Sequence, residues 1–217
     1  MTFLELVNKV LIRLRENTVS SVSQNDYSTM IGEFVNQAKN LVEDRWLWQA
    51  LKNKETIATA SGTYEYTLSV ADRKIQPLQM FLPDKKLELV QSNLPYIRHG
   101  IEIEQLQSVP TKYVISGQDS SGNINVWLYP IPDDTYTIDF YYFADQPELT
   151  NDTDRLIVPA LPVILAATAL ALEERGEDTG QSPNTLWAQY ERSIGAAIIR
   201  DVESTVDNYS FDAGQLI

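Results

Sequence analysis

The chain has 217 residues, 43% of them hydrophobic, enough for one large packed domain or for a core domain carrying an insertion. It contains no cysteine and a single histidine, His99. That excludes disulfides, thiolate nucleophiles, cysteine-based metal sites and zinc sites built on several imidazoles. A net charge of −13 makes it a poor binder of nucleic acid, because tight binding relies on cations that release counterions from phosphates.

The charge is uneven: +1 over residues 1–54, −5 over 55–144 and −9 over 145–217. The longest apolar run, Val163–Leu172, is about half the length of a membrane span. The opening Met1-Thr2-Phe3-Leu4-Glu5 enters an amphipathic pattern directly and lacks the features of a signal peptide, so folding in the cytoplasm where the chain is made is expected.

In chain order, Phe3, Leu4, Leu6, Val7, Val10, Leu11 and Leu14 are spaced at three and four and predict one broad apolar helix face. After the Thr18–Asn25 break, Ser23 and Asp26 form a candidate helix start. Tyr27 to Trp48 then repeats the helical spacing. From Glu55 the period changes to two. Thr56–Thr59 and Tyr64–Leu68 flank a Gly62-containing loop and predict a hairpin. Arg73–Leu82 is interrupted by Pro77 and can supply at most an edge strand. Further strands are expected at Lys85–Val90, Lys112–Ser116, Ile124–Tyr129 and Thr135–Phe143, with a turn at Pro130–Asp134. Helix returns over Leu156–Glu174, with Pro159 and Pro162 tolerable only in its first turns. Ser182-Pro183 caps a last helix through Val202. Ser204–Ile217 has no period.

This order predicts an α+β fold: an antiparallel helical bundle built from both chain ends (1–54 and 146–203), an inserted antiparallel β domain (55–145) and an extended C-terminal arm (204–217).

Nothing in the chain assembles into an evident active site. The nine glycines are single and no phosphate-cradling loop appears. Paired carboxylates leave one narrow opening, since glycoside hydrolysis needs only two acids across a sugar. Glu102 and Glu104 would share a strand face, Asp133 and Asp134 form a turn, and Glu173 with Glu174 ends a helix. Asp152-Thr153-Asp154 begins like a calcium loop, but the required glycine and distal glutamate do not follow. No catalytic, cofactor or metal residue is assigned. The aromatics concentrate in the β region, where adjacent Tyr141 and Tyr142 must point to opposite faces of a strand. A period-free end segment with aromatic anchors is either disordered or ordered against another chain.

Three stretches carry a resemblance: Phe3-Leu4-Glu5-Leu6-Val7-Asn8, Ala38–Trp48 ending in Glu43-Asp44-Arg45-Trp46-Leu47-Trp48, and Val126–Tyr136 leading to Phe140-Tyr141-Tyr142. With the prolyl helix to Glu173 and the Trp187–Asp201 segment behind them, they resemble the bacteriophage head-to-tail adaptor (connector) family, which includes tail tubular protein A and head-completion adaptors. The resemblance implies a virion structural protein that forms a ring, expected to be a dodecamer, between the portal protein and a tail or nozzle protein. Such a ring would continue the DNA channel without specific DNA binding, membrane contact or cofactor. It also implies a portal-binding arm anchored by Tyr209, Phe211, Leu216 and Ile217. A tail-facing β domain would present Tyr129, Tyr136, Tyr141 and Tyr142. The alternatives are a virion-associated cell-wall glycosidase using the paired carboxylates and a monomeric carbohydrate- or protein-binding module.

Overall fold

In the computed structural model, which describes residues 1–69, 75–176 and 183–206, Thr2 and Glu5 close the first turn of helix α1 (Phe3–Arg13) on each other. The Thr2 N–H donates to Glu5 Oε2 at 2.9 Å and the Glu5 N–H to Thr2 Oγ1 at 3.3 Å, a reciprocal cap for donors that the helix cannot satisfy itself. The helix buries Phe3, Leu6, Val7, Val10 and Leu11, the face its spacing predicts. Helix α2 (Asp26–Glu43) is capped by Asn25, whose side chain accepts the Ser28 N–H at 2.8 Å; Ser23, the expected start, sits in a preceding single turn. The Ser28 hydroxyl returns two bonds, to the Val22 and Asn25 carbonyls.

Helix α4 (Ala160–Arg175) is apolar on every side and buried on nearly every side, so α1, α2 and helix α5 (Pro183–Val206) all pack against it. Pro162 falls in its first turn, where a missing N–H costs nothing. Gly176 ends it in the left-handed conformation, φ +62°, which glycine adopts without a Cβ penalty. These helices belong to one unit, Met1–Leu51 with Gln146–Ile217; Lys52–Asp145 form the other. The expected cap Ser182 and the arm residues Tyr209, Phe211, Leu216 and Ile217 lie outside the described residues.

The second unit is a seven-stranded sheet. Its strands are β1 (Lys52–Ala58), β2 (Glu65–Leu68), β3 (Ile75–Leu82), β4 (Leu87–Gln91), β5 (Lys112–Gln118), β6 (Ile124–Tyr129) and β7 (Thr137–Ala144), in the order β1-β7-β3-β4-β5-β6-β2. The edge strands β1 and β2 come together, with Glu55 Oε1 accepting the Ser69 N–H at 3.2 Å, so the sheet is a nearly closed barrel. Its interior holds Leu68, Met80, Leu82, Val126, Leu128, Ile138 and Phe140, each fully buried.

This architecture overturns the expected fold class. The chain is mixed α/β, dominated by a seven-stranded nearly closed sheet. Five α-helices occur among the described residues, and they do not make a helical bundle from both ends. Nor is the sheet purely antiparallel. Strands β4 and β5 pair in parallel at Val90↔Lys112 and Gln91↔Tyr113, which requires a crossover. Residues 92–111 supply it with helix α3 (Leu94–His99) and a π-helical turn (Gly100–Glu104) where strand was expected.

Two pairings also differ from expectation. Residues 56–59 and 64–68 do not form a hairpin: β1 pairs with β7 and β2 with β6. Strand β3 is interior, between β7 and β4, and Pro77 is accommodated where the β3–β7 register shifts between Pro77 and Gln79.

Candidate assembly surfaces

Strand β7 alternates as its pattern demands. Ile138, Phe140, Tyr142 and Ala144 face the barrel interior, with the rings of Phe140 and Tyr142 stacked at 5.2 Å. Asp139, Tyr141 and Phe143 take the other face, opposite Thr56, Lys54 and Lys52 of β1. There the Lys54 ammonium lies over the Tyr141 ring at 5.9 Å and the Lys52 ammonium over Phe143 at 5.7 Å.

Of the four tyrosines expected to face a tail component, Tyr129 and Tyr142 are buried and present no surface. Tyr142 fills the barrel. Tyr129 packs with Ile97 and Ile101, and its hydroxyl donates to Glu104, a bond that pushes its pKa up to about 12. Tyr136 and Tyr141 are half-buried and keep exposed ring surface. The Tyr136 hydroxyl donates to Asp133 Oδ1 at 2.6 Å, which likewise raises its pKa to about 12.

Asp139 accepts Lys54 Nζ at 2.8 Å and the Thr56 hydroxyl at 3.0 Å, and the lysine bond above all holds its pKa below the usual carboxylate value. A depressed folded-state pKa contributes stability that is present above the unfolded pKa, about 4, and is lost as pH falls through the folded value. Asp139→Asn is therefore expected to flatten the acid limb of the stability–pH curve below about pH 4, as read from urea midpoints across a pH series.

Five of the six paired carboxylates have hydrogen-bond or ion-pair partners, Asp133 holding the Tyr136 hydroxyl. Glu102 forms an exposed ion pair with Arg98 at 3.2 Å, and Glu104 holds Tyr129. The strand face they were expected to share does not exist, because both lie on the π-turn. Asp134 accepts the Thr135 N–H at 2.7 Å, and Glu173 accepts Trp187 Nε1 at 2.7 Å. Asp154 gathers the N–H groups of Asn151 and Thr150 at 2.7 and 2.8 Å, bonds that lower its pKa, and Asp152 accepts the Val22 N–H at 2.9 Å. The Asp152–Asp154 segment is thus the turn its residues suggest. His99 is the exposed last residue of α3. Among the described residues no group of three or more His, Cys, Asp or Glu side chains is placed to hold a metal ion.

What sequence reading missed is a set of exposed apolar side chains. In the helical unit, Ile12 on α1 and Leu161 on α4 border a groove of about 460 Å³, with Lys9 and Arg13 at its edge and Ile164 in its lining. A second groove, about 350 Å³, lies along α5 between Trp48, Ile157, Ala197 and Arg200. Beside it Trp46 Nε1 donates to Asp201 at 3.0 Å. In the β unit, Ile103 and Leu106 stand out from the π-turn at 68% and 50% exposure. The Ile101-Glu102-Ile103-Glu104 alternation masks Ile103, since a strand would place both isoleucines on its buried face.

A chain with two apolar grooves and one apolar knob has the features of an assembly component. The SU10 adaptor protein family model matches residues 1–213. The chain belongs to that family and is a structural adaptor of bacteriophage virions. No curated protein matches it. A solved structure similar to this chain is described as the neck of an empty GTA particle computed with C6 symmetry; it shares 13% identity over 85% of this chain and 87% of that one, with a TM-score of 0.29. No helix among the described residues is long and apolar enough to cross a membrane.

Proposed function

We propose that copies of this chain form a ring, a dodecamer, seated between the portal protein and a tail or nozzle protein, where it continues the DNA channel and catalyses nothing. The observation that carries this reading is the family match over residues 1–213. The net charge of −13 supports it, because an acidic lining lets DNA slide past without the counterion release that would hold it. The ion pair of Glu102 and the hydrogen bonds of Glu104, Asp133, Asp134 and Glu173 support the non-catalytic part. In this reading the chain is made in the host cytoplasm and resides in the virion at the head–tail interface. Residues 204–217, the first three of which end α5, are the portal-binding arm, with Tyr209, Phe211, Leu216 and Ile217 as its anchors. Tyr136 and Tyr141 are the tyrosines of the β unit that meet the tail component.

Electron microscopy of the protein mixed with its portal is expected to show a symmetric ring on the portal; a portal left bare at saturating protein would overturn the reading. Deletion of residues 204–217 is expected to abolish co-assembly while leaving the melting transition in place. Normal assembly by that truncation would refute the arm.

A further inference from the structure

The π-turn of the β unit is built to hold two aliphatic side chains out into water. Ile97 and Ile101 anchor it inside, at 0% and 8% exposure, in a cluster with Val114, Tyr129 and Ile131. Gly100 lies so close to the Tyr129 ring that an added Cβ would stand 2.4 Å from it. The Gln105 N–H closes the turn on the Gly100 carbonyl at 2.8 Å, and the Ile131 N–H ties down the Leu106 carbonyl at 2.9 Å. With the backbone pinned at both ends, Ile103 and Leu106 are exposed by construction. At 68%, Ile103 is the most exposed large hydrophobic among the described residues. A rigid apolar knob loses little freedom when it binds.

The α1/α4 groove is its complement in shape and charge. The groove is concave, about 460 Å³, and bordered by the exposed apolar side chains of Ile12 and Leu161, with Lys9 and Arg13 on its rim. The knob projects Ile103 between Glu102 and Glu104, of which Glu104 already accepts the Tyr129 hydroxyl, leaving Glu102 as the exposed acid beside the aliphatic side chains. Glu102 is shared with Arg98 in a pair whose side chains are 61% and 59% exposed, an interaction weak enough in water to be exchanged for another cation.

We propose that the Ile103–Leu106 knob of one copy seats in the Lys9–Ile12–Arg13–Leu161 groove of the next. The contact is heterologous, with different surfaces on the two copies. Repetition of such a contact closes into a ring when the rotation between copies divides the circle. This inference rests on the ring reading above and names the surfaces that would make it.

Because the chain has no cysteine, each surface can carry a single new thiol. Full-length Ile103→Cys and Leu161→Cys proteins, mixed with portal protein and mildly oxidised, are expected to give a disulfide-linked dimer on a non-reducing gel. Neither variant alone should give one. The double variant should give a ladder of linked copies. An Ile103→Cys dimer formed without Leu161→Cys would mean an isologous contact and would overturn the proposal. So would rings seen by microscopy with no cross-link between the two thiols, an outcome that leaves the adaptor reading intact. Absence of any ring would sink the reading, and the proposal with it. Charge exchange supplies an independent readout. Arg13→Glu is expected to weaken self-association about tenfold or more, and adding Glu102→Arg to restore it. Failure of the double exchange to restore association, with both variants melting as the parent does, would count against the pairing.

Discussion

Replacing Glu43 alone with leucine is expected to destabilise the helical unit by about 3–5 kcal/mol, whereas Lys39→Met together with Glu43→Leu should recover most of that loss. Lys39 and Glu43 stand one turn apart on α2 with both side chains 1% exposed, and their charges meet at 3.2 Å. The lysine is held by two further acceptors, Asn40 Oδ1 at 2.9 Å and the Gln146 carbonyl at 2.7 Å. Removing the carboxylate strands an ammonium ion in a sealed site with neutral acceptors only. Removing both charges exchanges a costly desolvated pair for apolar packing of similar volume. Urea denaturation of the two single variants and the double variant, followed by tryptophan fluorescence, closes the cycle. A double variant no more stable than Glu43→Leu would refute the account. The order Lys-then-Glu is the less favourable one for an exposed helix pair, so the residues serve something other than local helix stability. Their partner suggests what. Gln146 is where the chain re-enters this unit, and three residues on, Leu149 exchanges two bonds with the Asn36 side chain, at 2.9 and 3.0 Å. One polar row of α2 thus fixes the register of the returning segment.

Phe140→Ala is the second large effect, about 3–5 kcal/mol, read as a shift of the urea midpoint of the β unit. Phe140 is fully buried at the centre of the interior strand β7 and stacks on Tyr142, so truncation leaves a cavity between strands that cannot collapse without breaking two ladders. Its neighbour provides the control. Tyr141 sits on the opposite face, half-buried, and Tyr141→Ala is expected to cost about 1 kcal/mol or less. Equal losses at the two positions would mean that the face assignment of β7 is wrong.

The β-branched and aromatic residues of Thr135–Phe143 predicted a strand there, and β7 occupies Thr137–Ala144, because strand preference is a local property of those side chains. Which strands lie beside it was not legible. The Gly62 loop suggested that 56–59 pairs with 64–68, yet β1 found β7 and β2 found β6, each more than fifty residues away. Turn chemistry reports only local closure, and pairing is settled by which faces can be buried together. Pro77 demoted β3 to an edge for a sound local reason, the missing N–H; β3 lies between β7 and β4, but its pairs with β4 run only from Met80 to Leu82, so at Pro77 only β7 is paired with it. The alternating Ile101–Glu104 segment was misread for the same reason. The closure from Gln105 to Gly100 is a local bond that alternation competes with, and the approach of Gly100 to Tyr129, twenty-nine residues away, is the contact that near-neighbour reading could not see.

The carboxylates divide along the same line. Sequence alone made Asp133, Asp134 and Asp154 turn residues, and the hydrogen bonds each accepts are turn bonds. The buried Lys39–Glu43 pair escaped notice because charge at that spacing is ordinarily a solvated face, and only the packing of other elements over α2 makes it an interior one.

By itself, then, the sequence determined the helices and strands whose hydrophobic period is strong and the chemistry ruled out by a chain with no cysteine and one histidine. Those are properties of composition and near-neighbour spacing; the adaptor family came from resemblance to known proteins and is shown by the family match over residues 1–213. Tertiary structure alone decided that seven strands close almost completely on themselves with one parallel pair, and that the fold is a mixed α/β one where a bundle was expected. It alone left Ile103 and Leu106 in water while burying Tyr129 and Tyr142. Each of those outcomes depends on contacts between residues far apart in the chain, where burial of one face chooses among local structures that the sequence leaves nearly equal.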